Sequence, residues 1–416
     1  MISPCCLFVF LFLWCFYWRI HGKAVNLHII KIVMKMKKMM FVLVCLLLVC
    51  GCKQGNNQTV VTQNDANDTA KVVLKYAKGF SVEYGNGYKL VTIADPQKED
   101  AKEYRFALVP RGEKPVGLPE GCTVIETPVR GVICMTALQL SSFIKLEALD
   151  HIVGINTSRR LENKEMAQRI KDGKTVKIGK EGNFDEELII ASNPDVIFIS
   201  LSKRGGFEKM EEVGLPLVPY LGYQETDPLA QAEWIKFVGM FIGETAKANE
   251  LFNGIEKRYA EAKQLVDNVE KGKETPRIVY GMMHGANWYA MGGESYFAHL
   301  FRDAGIDYFL KDDNRSGGVN IDFEQVYAQA QQCEYWIIQN KNKEEMTYEG
   351  MKKQDPRYAD FMAWKNKHVI CCETFQTPVN ELAPMEPDLV LKDIIHAVHP
   401  DVLKDYTPKY YRLIEP

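Results

Sequence analysis

The chain has 416 residues, of which 46% are hydrophobic and 25% charged, a composition typical of a globular protein and not of a disordered or fibrous one. This length exceeds the ~250–300 residues at which one hydrophobic core usually stops growing, so we expect two lobes. The 51 basic and 54 acidic residues give a formal charge of −3, which argues against nucleic acid as a partner because the chain has no overall excess of positive charge.

The N-terminal region has the pattern of a secretory leader. A basic cluster, "KMKKMM", precedes the apolar run "FVLVCLLLV" at 41–49, which is shorter than the ~20 residues that a membrane-spanning helix needs. Several methionines in this cluster offer start codons, so we interpret residues 1–33 as an over-extended gene model and 34–51 as the signal peptide. The alternative is that the apolar stretch 5–18 forms a transmembrane helix in front of the signal.

The end of the apolar run resembles the bacterial lipobox. In "VCGC" the small residue Gly51 precedes Cys52, and cleavage before a lipobox cysteine frees its amino group and thiol for lipid attachment. The alternative is that Cys50 and Cys52 form a C-x-C metal or redox pair, which would need further ligands nearby, whereas the next cysteine is Cys122. We expect Cys52 to be the lipidated mature N-terminus, followed by a polar tether at 52–71.

The cysteines beyond the leader are scattered among apolar residues. Small buried side chains explain them better than a disulfide framework does. They are Cys122, Cys134, Cys333, Cys371 and Cys372.

A small β-unit is predicted at 72–126, because "FSVEYGNGYKLVTI" places Asn-Gly between two β-rich runs, a hairpin signal in which both turn positions need positive φ. From 127 the pattern changes to strands that alternate with helices: "RGVICM", a helix at 137–146, "IVGIN", a helix near 162–172, and "EELIIASNPDVIFIS". This alternation predicts a parallel sheet covered on both faces, and we assign it to an N-terminal α/β lobe at 127–244.

A long helical region follows, with apolar residues at helical spacing in "EWIKFVGMFIGETAKANELFNGIEKRYAEAK". Gly243, with Thr245 as N-cap, divides it in two. The second piece, from Ala246 to about Glu270, would be ~38 Å long at ~1.5 Å per residue, and we assign an inter-lobe helix to 245–271. A coiled-coil dimer is the alternative, but the apolar stripe lacks sustained heptads.

Alternating strands and helices resume at 272–416, with "RIVYGMM", a helix at 295–304, "CEYWIIQ", "KHVICCE" and "DLVLKDIIHAVHP". The expected fold is therefore α/β, with two Rossmann-like lobes joined by one long α-helix and a small β-hairpin unit at the mature N-terminus.

The blocks "LEALDHIVGIN", "DEELIIASNPDVIF", "GGESYFAHLFRDAGIDYFLKDD" and "FMAWKNKHVI" occur in an order that resembles the substrate-binding proteins of ABC importers, in the group with a single rigid inter-lobe helix that serves ferric siderophores, haem and cobalamin. The resemblance runs from about Thr127 to Leu413. It implies a monomeric, non-enzymatic protein without a cofactor, which binds an iron complex or similar metallo-organic ligand between its lobes. Haem and cobalamin are the alternative ligands.

The resemblance also implies partners and a location. The ligand would be delivered to an ABC permease with ATPase subunits, and the lipid anchor would hold the protein at the periplasmic face of a bacterial membrane or on the outer surface. In this group a glutamate on each lobe docks onto permease arginines, and the matching positions are Glu187 and Glu324. Each also lies in the first turn of a predicted helix, where a carboxylate complements the helix dipole.

A metal chelate or corrin needs aromatic faces and a few cations or hydroxyls around it. Trp288 is the strongest candidate, because the Gly and Asn residues around it indicate a loop. The residues at predicted strand ends or loops facing the expected cleft are Thr136, Arg159, Arg204, Tyr223, Trp288, Arg315, Trp364 and Phe375.

Metal-ion and enzyme sites are less well supported by the sequence. The histidines are dispersed, and only His284 precedes a candidate cleft loop, so no metal site is assigned. No G-x-S-x-G elbow, P-loop or H-E-x-x-H motif occurs. A surface-anchored hydrolase and an adhesion lipoprotein remain as alternatives of other classes.

Overall fold

A computed structural model describes residues 68–156, 161–180, 183–201, 208–212, 214–267 and 275–416. All of them belong to one compact unit, Asn64–Pro416. The predicted signal peptide, Cys52 and most of the tether lie outside the described residues, as do Arg159 and Arg204. Within the described ranges, no helix combines the length and apolarity needed to cross a bilayer.

The chain begins with a four-stranded sheet in which the first three strands are antiparallel and the fourth is parallel to the third. The hairpin prediction is confirmed, but only Gly87 has positive φ (81°). Asn86 instead forms an isolated bridge with Val116, so the turn departs from the expected geometry. The strands are β1 (Phe80–Gly85), β2 (Tyr88–Ile93), β3 (Tyr104–Pro110) and β4 (Thr123–Thr127).

The N-terminal lobe contains a five-stranded, fully parallel sheet in the order β11-β10-β5-β6-β7. The first helix of the lobe, Ala137–Leu146, begins and ends at the predicted residues. The strands are β5 (Val132–Cys134), β6 (Ile152–Ile155), β7 (Val176–Lys177), the short hairpin pair β8 (Gly179–Lys180) and β9 (Asn183–Phe184), β10 (Val196–Ile199) and β11 (Leu217–Pro219). The helices are α1 (Ala137–Leu146), α2 (Lys164–Lys171), α3 (Glu186–Ala191) and α4 (Glu208–Glu212).

Helix α5 (Pro228–Ile242) ends the N-terminal lobe, and the long helix α6 (Thr245–Asp267) follows as the predicted inter-lobe helix. Gly243, with φ 78°, ends α5 as the sequence predicts. Thr245 is the first residue of α6 and not its N-cap, a difference of one residue at a helix end. The 23 residues of α6 span about 35 Å at ~1.5 Å per residue.

Two buried carboxylates on the α5 side hold the segment that precedes β1. Glu233 is 0% exposed and accepts the backbone N–H groups of residues 75–77 as well as the Lys236 ammonium, 2.7 Å away. Glu225 accepts the N–H groups of Lys78 and Gly79 and the Trp234 indole N–H. Because buried carboxylates are costly unless fully hydrogen-bonded, this arrangement fixes the start of the folded body against the inter-lobe helices.

The C-terminal lobe contains a second five-stranded sheet, β15-β12-β17-β18-β19, parallel except for β19, and a three-stranded antiparallel sheet, β13-β14-β16. The strands are β12 (Arg277–Tyr280), β13 (Met282–His284), β14 (Asn287–Met291), β15 (Asp307–Tyr308), β16 (Gly318–Ile321), β17 (Tyr335–Asn340), β18 (Val369–Glu373) and β19 (Tyr411–Leu413). The helices are α7 (Tyr296–Asp303), α8 (Phe323–Ala330), α9 (Tyr348–Gln354), α10 (Met362–Lys365), α11 (Val379–Leu382) and α12 (Pro387–Val398).

The two lobes are in direct contact with each other. One hydrophobic cluster runs without interruption from Phe198 of β10 through Phe237 and Phe252 of the connecting helices to Ile394 of α12. The buried carboxylate of Glu381, on α11, accepts the backbone N–H groups of residues 162 and 163 at the start of α2. The lobes are therefore held together by apolar packing and by charge-assisted hydrogen bonds.

The cysteine prediction is confirmed for four of the five positions. Cys134, Cys333, Cys371 and Cys372 are buried and carry free thiols, whereas Cys122 is half-buried. Burial raises the pKa of the Cys333 thiol to about 12, which keeps it protonated and unreactive at neutral pH.

Candidate functional site

The parallel sheet of the C-terminal lobe has a topological switch point between β12 and β17. From β12 the chain passes to β15 on one side and later adds β17 and β18 on the other. Ligands of open α/β sheets bind at the carboxyl ends of the strands beside such a point. A pocket of about 330 Å³ opens there, and its walls are formed by Tyr280, Gly281, Met282, Met283, His284, Tyr289, Gln339, Asn340, Lys341, Asn342 and Gln354. We call it the lobe-two pocket.

The hairpin β13–β14 forms one wall of the lobe-two pocket. Met282 lies opposite Tyr289 in the ladder, and His284 is two residues further along the same strand. Because side chains alternate between the faces of a strand, these three residues share one face. The rings of His284 and Tyr289 are 6.5 Å apart, and Tyr289 is 40% exposed. This face therefore offers an imidazole, a phenol and a thioether to a bound molecule.

Two buried indoles support the floor of the pocket. Trp288 donates its Nε1–H to the carbonyl oxygen of Tyr280 at 3.0 Å, and Trp336 donates to that of Gly281 at 2.8 Å. The two rings stack with centroids 5.3 Å apart. The Tyr358 hydroxyl accepts the N–H of Met283, and burial raises its pKa to about 12, so it stays protonated. These contacts fix the strand ends that carry the pocket.

The charges around the lobe-two pocket favour an anionic or neutral ligand. Lys341 is the one side chain with a permanent charge among the residues that form its walls, and no carboxylate is among them. The nearby Glu373 is buried and already accepts the Asn340 side-chain amide at 2.7 Å and the Met346 N–H at 2.8 Å. With amide groups and methionines beside the lysine, the site suits an organic molecule with apolar surface and negative charge.

A site for a bare metal ion is absent from the part of the chain that the structure describes, since it contains no group of three or more His, Cys, Asp or Glu side chains arranged to hold one. Among the residues that form the walls of the lobe-two pocket, His284 and the Tyr289 phenol are the strong metal donors, and two such groups are too few to hold a bare ion.

Three predicted ligand contacts lie at the carboxyl edges of the two sheets. Thr136 lies two residues after β5 and is the N-cap of α1, Tyr223 lies in the turn after β11, and Phe375 follows β18. All three are half-buried. The switch point of the N-terminal lobe is between β5 and β10, beside Thr136. Their contact with a ligand stays a prediction.

The prediction that Trp288 lies in a cleft loop is wrong. Trp288 belongs to β14, is 0% exposed and stacks on Phe361 as well as on Trp336. The glycines around it do not mark a loop but allow neighbouring backbone segments to approach closely. A Cβ on Gly281 would lie 2.0 Å from the carbonyl oxygen of Tyr289, and one on Gly292 would lie 2.0 Å from the carbonyl oxygen of Arg315.

Trp364 and Arg315 also lie away from the pocket. Trp364 is in α10 and precedes β18, so it is at the amino edge of the sheet, packed edge-to-face on Tyr348 with centroids 5.7 Å apart. Arg315 is exposed and pairs with Asp313, with Nε 3.0 Å from a carboxylate oxygen. Hydrogen bonding from Arg315 lowers the pKa of Asp313. A cleft position for Trp364 is therefore wrong, and Arg315 already has a carboxylate partner.

The two predicted docking glutamates occupy equivalent places in the two lobes. Glu187 is exposed in the first turn of α3, and Glu324 is exposed in the first turn of α8, 4.0 Å from Arg357. Both are accessible to a partner protein, and docking stays a prediction.

Sequence reasoning missed most of the pocket walls. Asn340 ends the strand "EYWIIQN" and Lys341 follows it, so the rule that ligands bind at strand ends would have found them. Tyr289 was missed because Trp288 was assigned to a loop. Since Trp288 belongs to a strand and is buried, the alternation of side chains places Tyr289 on the open face.

Comparisons with known proteins agree with this architecture. The model of a family described as periplasmic binding protein matches residues 132–374, from the first strand of the N-terminal lobe to just past β18. An uncharacterised lipoprotein of Methanocaldococcus jannaschii is 24% identical, with 89% of this chain and 94% of the relative aligned. Among solved structures, a periplasmic haem-binding protein from Pseudomonas aeruginosa has a TM-score of 0.55 at 15% identity, covering 69% of this chain and 99% of its own. A periplasmic binding protein from Veillonella parvula also has a TM-score of 0.55, at 16% identity, covering 75% of this chain and 98% of its own.

Proposed function

The chain belongs to the periplasmic binding protein family, and we propose that it is the substrate-binding subunit of an ABC importer that captures an anionic iron complex between its two lobes. The ligand class is a ferric siderophore or a similar metallo-organic molecule. The protein binds and releases this molecule without turnover, and ATP hydrolysis is done by other chains.

The observation that carries the proposal is the lobe-two pocket. It lies at a switch point, contains Lys341 and no carboxylate, and combines hydrogen-bonding amides with the thioethers of Met282 and Met283. These groups complement a chelate that has a negatively charged edge and an apolar body. The pocket volume of about 330 Å³ accommodates part of such a molecule, so the opposite lobe supplies the remaining contacts.

The lipid anchor and the permease complete the proposal. Cys52 carries lipid and the polar tether keeps the folded body near an extracytoplasmic membrane surface, in keeping with the lipoprotein designation of the Methanocaldococcus jannaschii relative. Exposed carboxylates at Glu187 and Glu324 place one negative charge on each lobe for contact with permease arginines.

The test is an equilibrium titration of the full chain in detergent with four probes: a ferric tris-catecholate, a neutral ferric hydroxamate, haemin and cyanocobalamin. Tryptophan fluorescence and the visible absorption of each probe report binding. Saturable one-to-one binding of the tris-catecholate or haemin, with the probe recovered unchanged, supports the proposal. Failure of both anionic iron complexes to bind, or their chemical conversion, refutes it.

A further inference from the structure

The loop between β2 and β3 contains a tight turn that presents one glutamine side chain. The turn reads Asp-Pro-Gln-Lys at 95–98, and the Lys98 N–H donates to the carbonyl oxygen of Asp95 at 3.2 Å. Aspartate at the first position and proline at the second are the residues that such a turn favours. The Asp95 carboxylate also accepts the backbone N–H of Gln97 at 3.1 Å and lies 3.1 Å from the Lys98 ammonium. The turn therefore fixes the backbone from which the Gln97 side chain extends.

This side chain joins the two lobes. Nε2 of Gln97 donates to the carbonyl oxygen of Gln224 at 2.6 Å, and Oε1 accepts the Ser316 hydroxyl at 2.8 Å. Gln224 lies in the turn after β11 of the N-terminal lobe, and Ser316 lies between β15 and β16 of the C-terminal lobe. Exchanging the amide oxygen and nitrogen would set two acceptors against each other at Gln224, so that carbonyl fixes the orientation. One residue of the β-unit thus bonds to both lobes.

A second polar bridge between the lobes lies at the other end of the cleft. Glu381, after β18, accepts the N–H groups of residues 162 and 163, which follow β6. β11 and β15 are edge strands of their sheets, whereas β6 and β18 lie towards the opposite edges. All four bridging positions follow the carboxyl ends of parallel strands. The bridges of Gln97 and Glu381 therefore span the cleft at its two ends.

The Gln97 bridge lies next to the lobe-two pocket. A Cβ on Gly318 would be 2.1 Å from the Tyr289 hydroxyl oxygen, so the Tyr289 ring lies against the backbone two residues after Ser316. Tyr289 forms part of the pocket wall. The segment that Gln97 holds is therefore in contact with a residue that faces the ligand.

We propose that the turn at 95–98 is a clasp, in which Gln97 holds the lobes together at one end of the cleft and slows the release of the captured ligand. The inference rests on the proposed function in placing the ligand between the lobes. Glu381 is 3% exposed and its carboxylate bonds are charge-assisted, whereas Gln97 is exposed and makes neutral hydrogen bonds. Since neutral hydrogen bonds in water are the weaker kind, the Gln97 end is the one that opens during ligand exchange. Gln97 is thus a positioning residue.

The first test is the dissociation rate of the ferric tris-catecholate from the full chain, measured by stopped-flow chase with an excess of the gallium complex. Gln97→Ala and Ser316→Ala should each speed dissociation by about 5-fold, the effect of losing one hydrogen bond. The double variant should be no faster than the single ones, because both substitutions remove the same bond between the lobes. Glu99→Ala, exposed in the same loop, is the matched control and should change the rate by less than about 2-fold. Wild-type rates in the single variants, or multiplied effects in the double variant, would overturn the clasp.

A second measurement needs no ligand. Spin labels are attached through cysteine substitutions at the exposed Glu113 of the β-unit and Asp312 of the C-terminal lobe, in a Cys122→Ser background, and double electron–electron resonance gives their distance distribution. We expect a broader distribution with Gln97→Ala than with Glu99→Ala, and equal widths would overturn the clasp. A broader distribution without binding of either anionic iron complex supports the clasp and refutes the proposed ligand class. Binding with unchanged widths and rates refutes the clasp alone.

Discussion

Reversing the charge of Lys341 is expected to weaken the binding of an anionic iron complex by about 15-fold. Lys341 is exposed at the carboxyl end of β17, so its charge acts through a dielectric close to that of water. At a separation of about 5 Å from a ligand charge, that corresponds to roughly 0.8 kcal/mol. Lys341→Glu replaces an attraction by an equal repulsion, a change of about 1.6 kcal/mol, and every 1.4 kcal/mol is tenfold in affinity.

Lys343→Glu is the matched control, because Lys343 is also exposed and two residues away but does not form part of the pocket. Fluorescence titration with the ferric tris-catecholate at low and high salt measures both variants. We expect the effect of Lys341→Glu to shrink as salt screens the charges, and Lys343→Glu to stay within about 3-fold of the wild type. Equal effects of the two substitutions would refute the pocket as the ligand site, since they would show that the ligand responds only to the overall charge of this surface.

Three further predictions concern transport, anchoring and stability. Glu187→Lys with Glu324→Lys should abolish cellular uptake of the bound complex and leave its affinity unchanged. Glu349→Lys, in the first turn of another helix, should change neither uptake nor affinity, and a loss of affinity in the double variant would place the two glutamates at the ligand. Cys52→Ser should move the protein from the membrane fraction to the soluble fraction and remove incorporation of labelled fatty acid, and continued membrane association would contradict the lipid anchor. Trp288→Ala should lower the free energy of unfolding by about 3–5 kcal/mol in denaturant titrations, because a fully buried indole is lost. A cost below about 1 kcal/mol would contradict the assignment of Trp288 to the hydrophobic core.

The elements with strong local signals were predictable from the sequence. Helix α1 follows the apolar spacing of its residues from Ala137 to Leu146, and Gly243 ends α5 because only a residue that tolerates positive φ continues the chain there. The switch from alternating hairpin residues to buried parallel strands at Val132 also follows from composition.

The site was harder to predict because its residues are defined by contacts distant in the chain. Glycines near Trp288 indicated a loop, but they allow the close approach of neighbouring strands, and the indole belongs to an aromatic cluster that sequence spacing does not reveal.

Capture between the lobes can be observed in a crystal of the full chain with the ferric tris-catecholate, in which anomalous scattering at the iron absorption edge locates the iron. We expect a single iron between the carboxyl edges of the two sheets, with the chelate in contact with Lys341 on one side and Thr136 on the other. An iron bound on the outer surface of either lobe, or at the amino edge near Trp364, would contradict capture between the lobes.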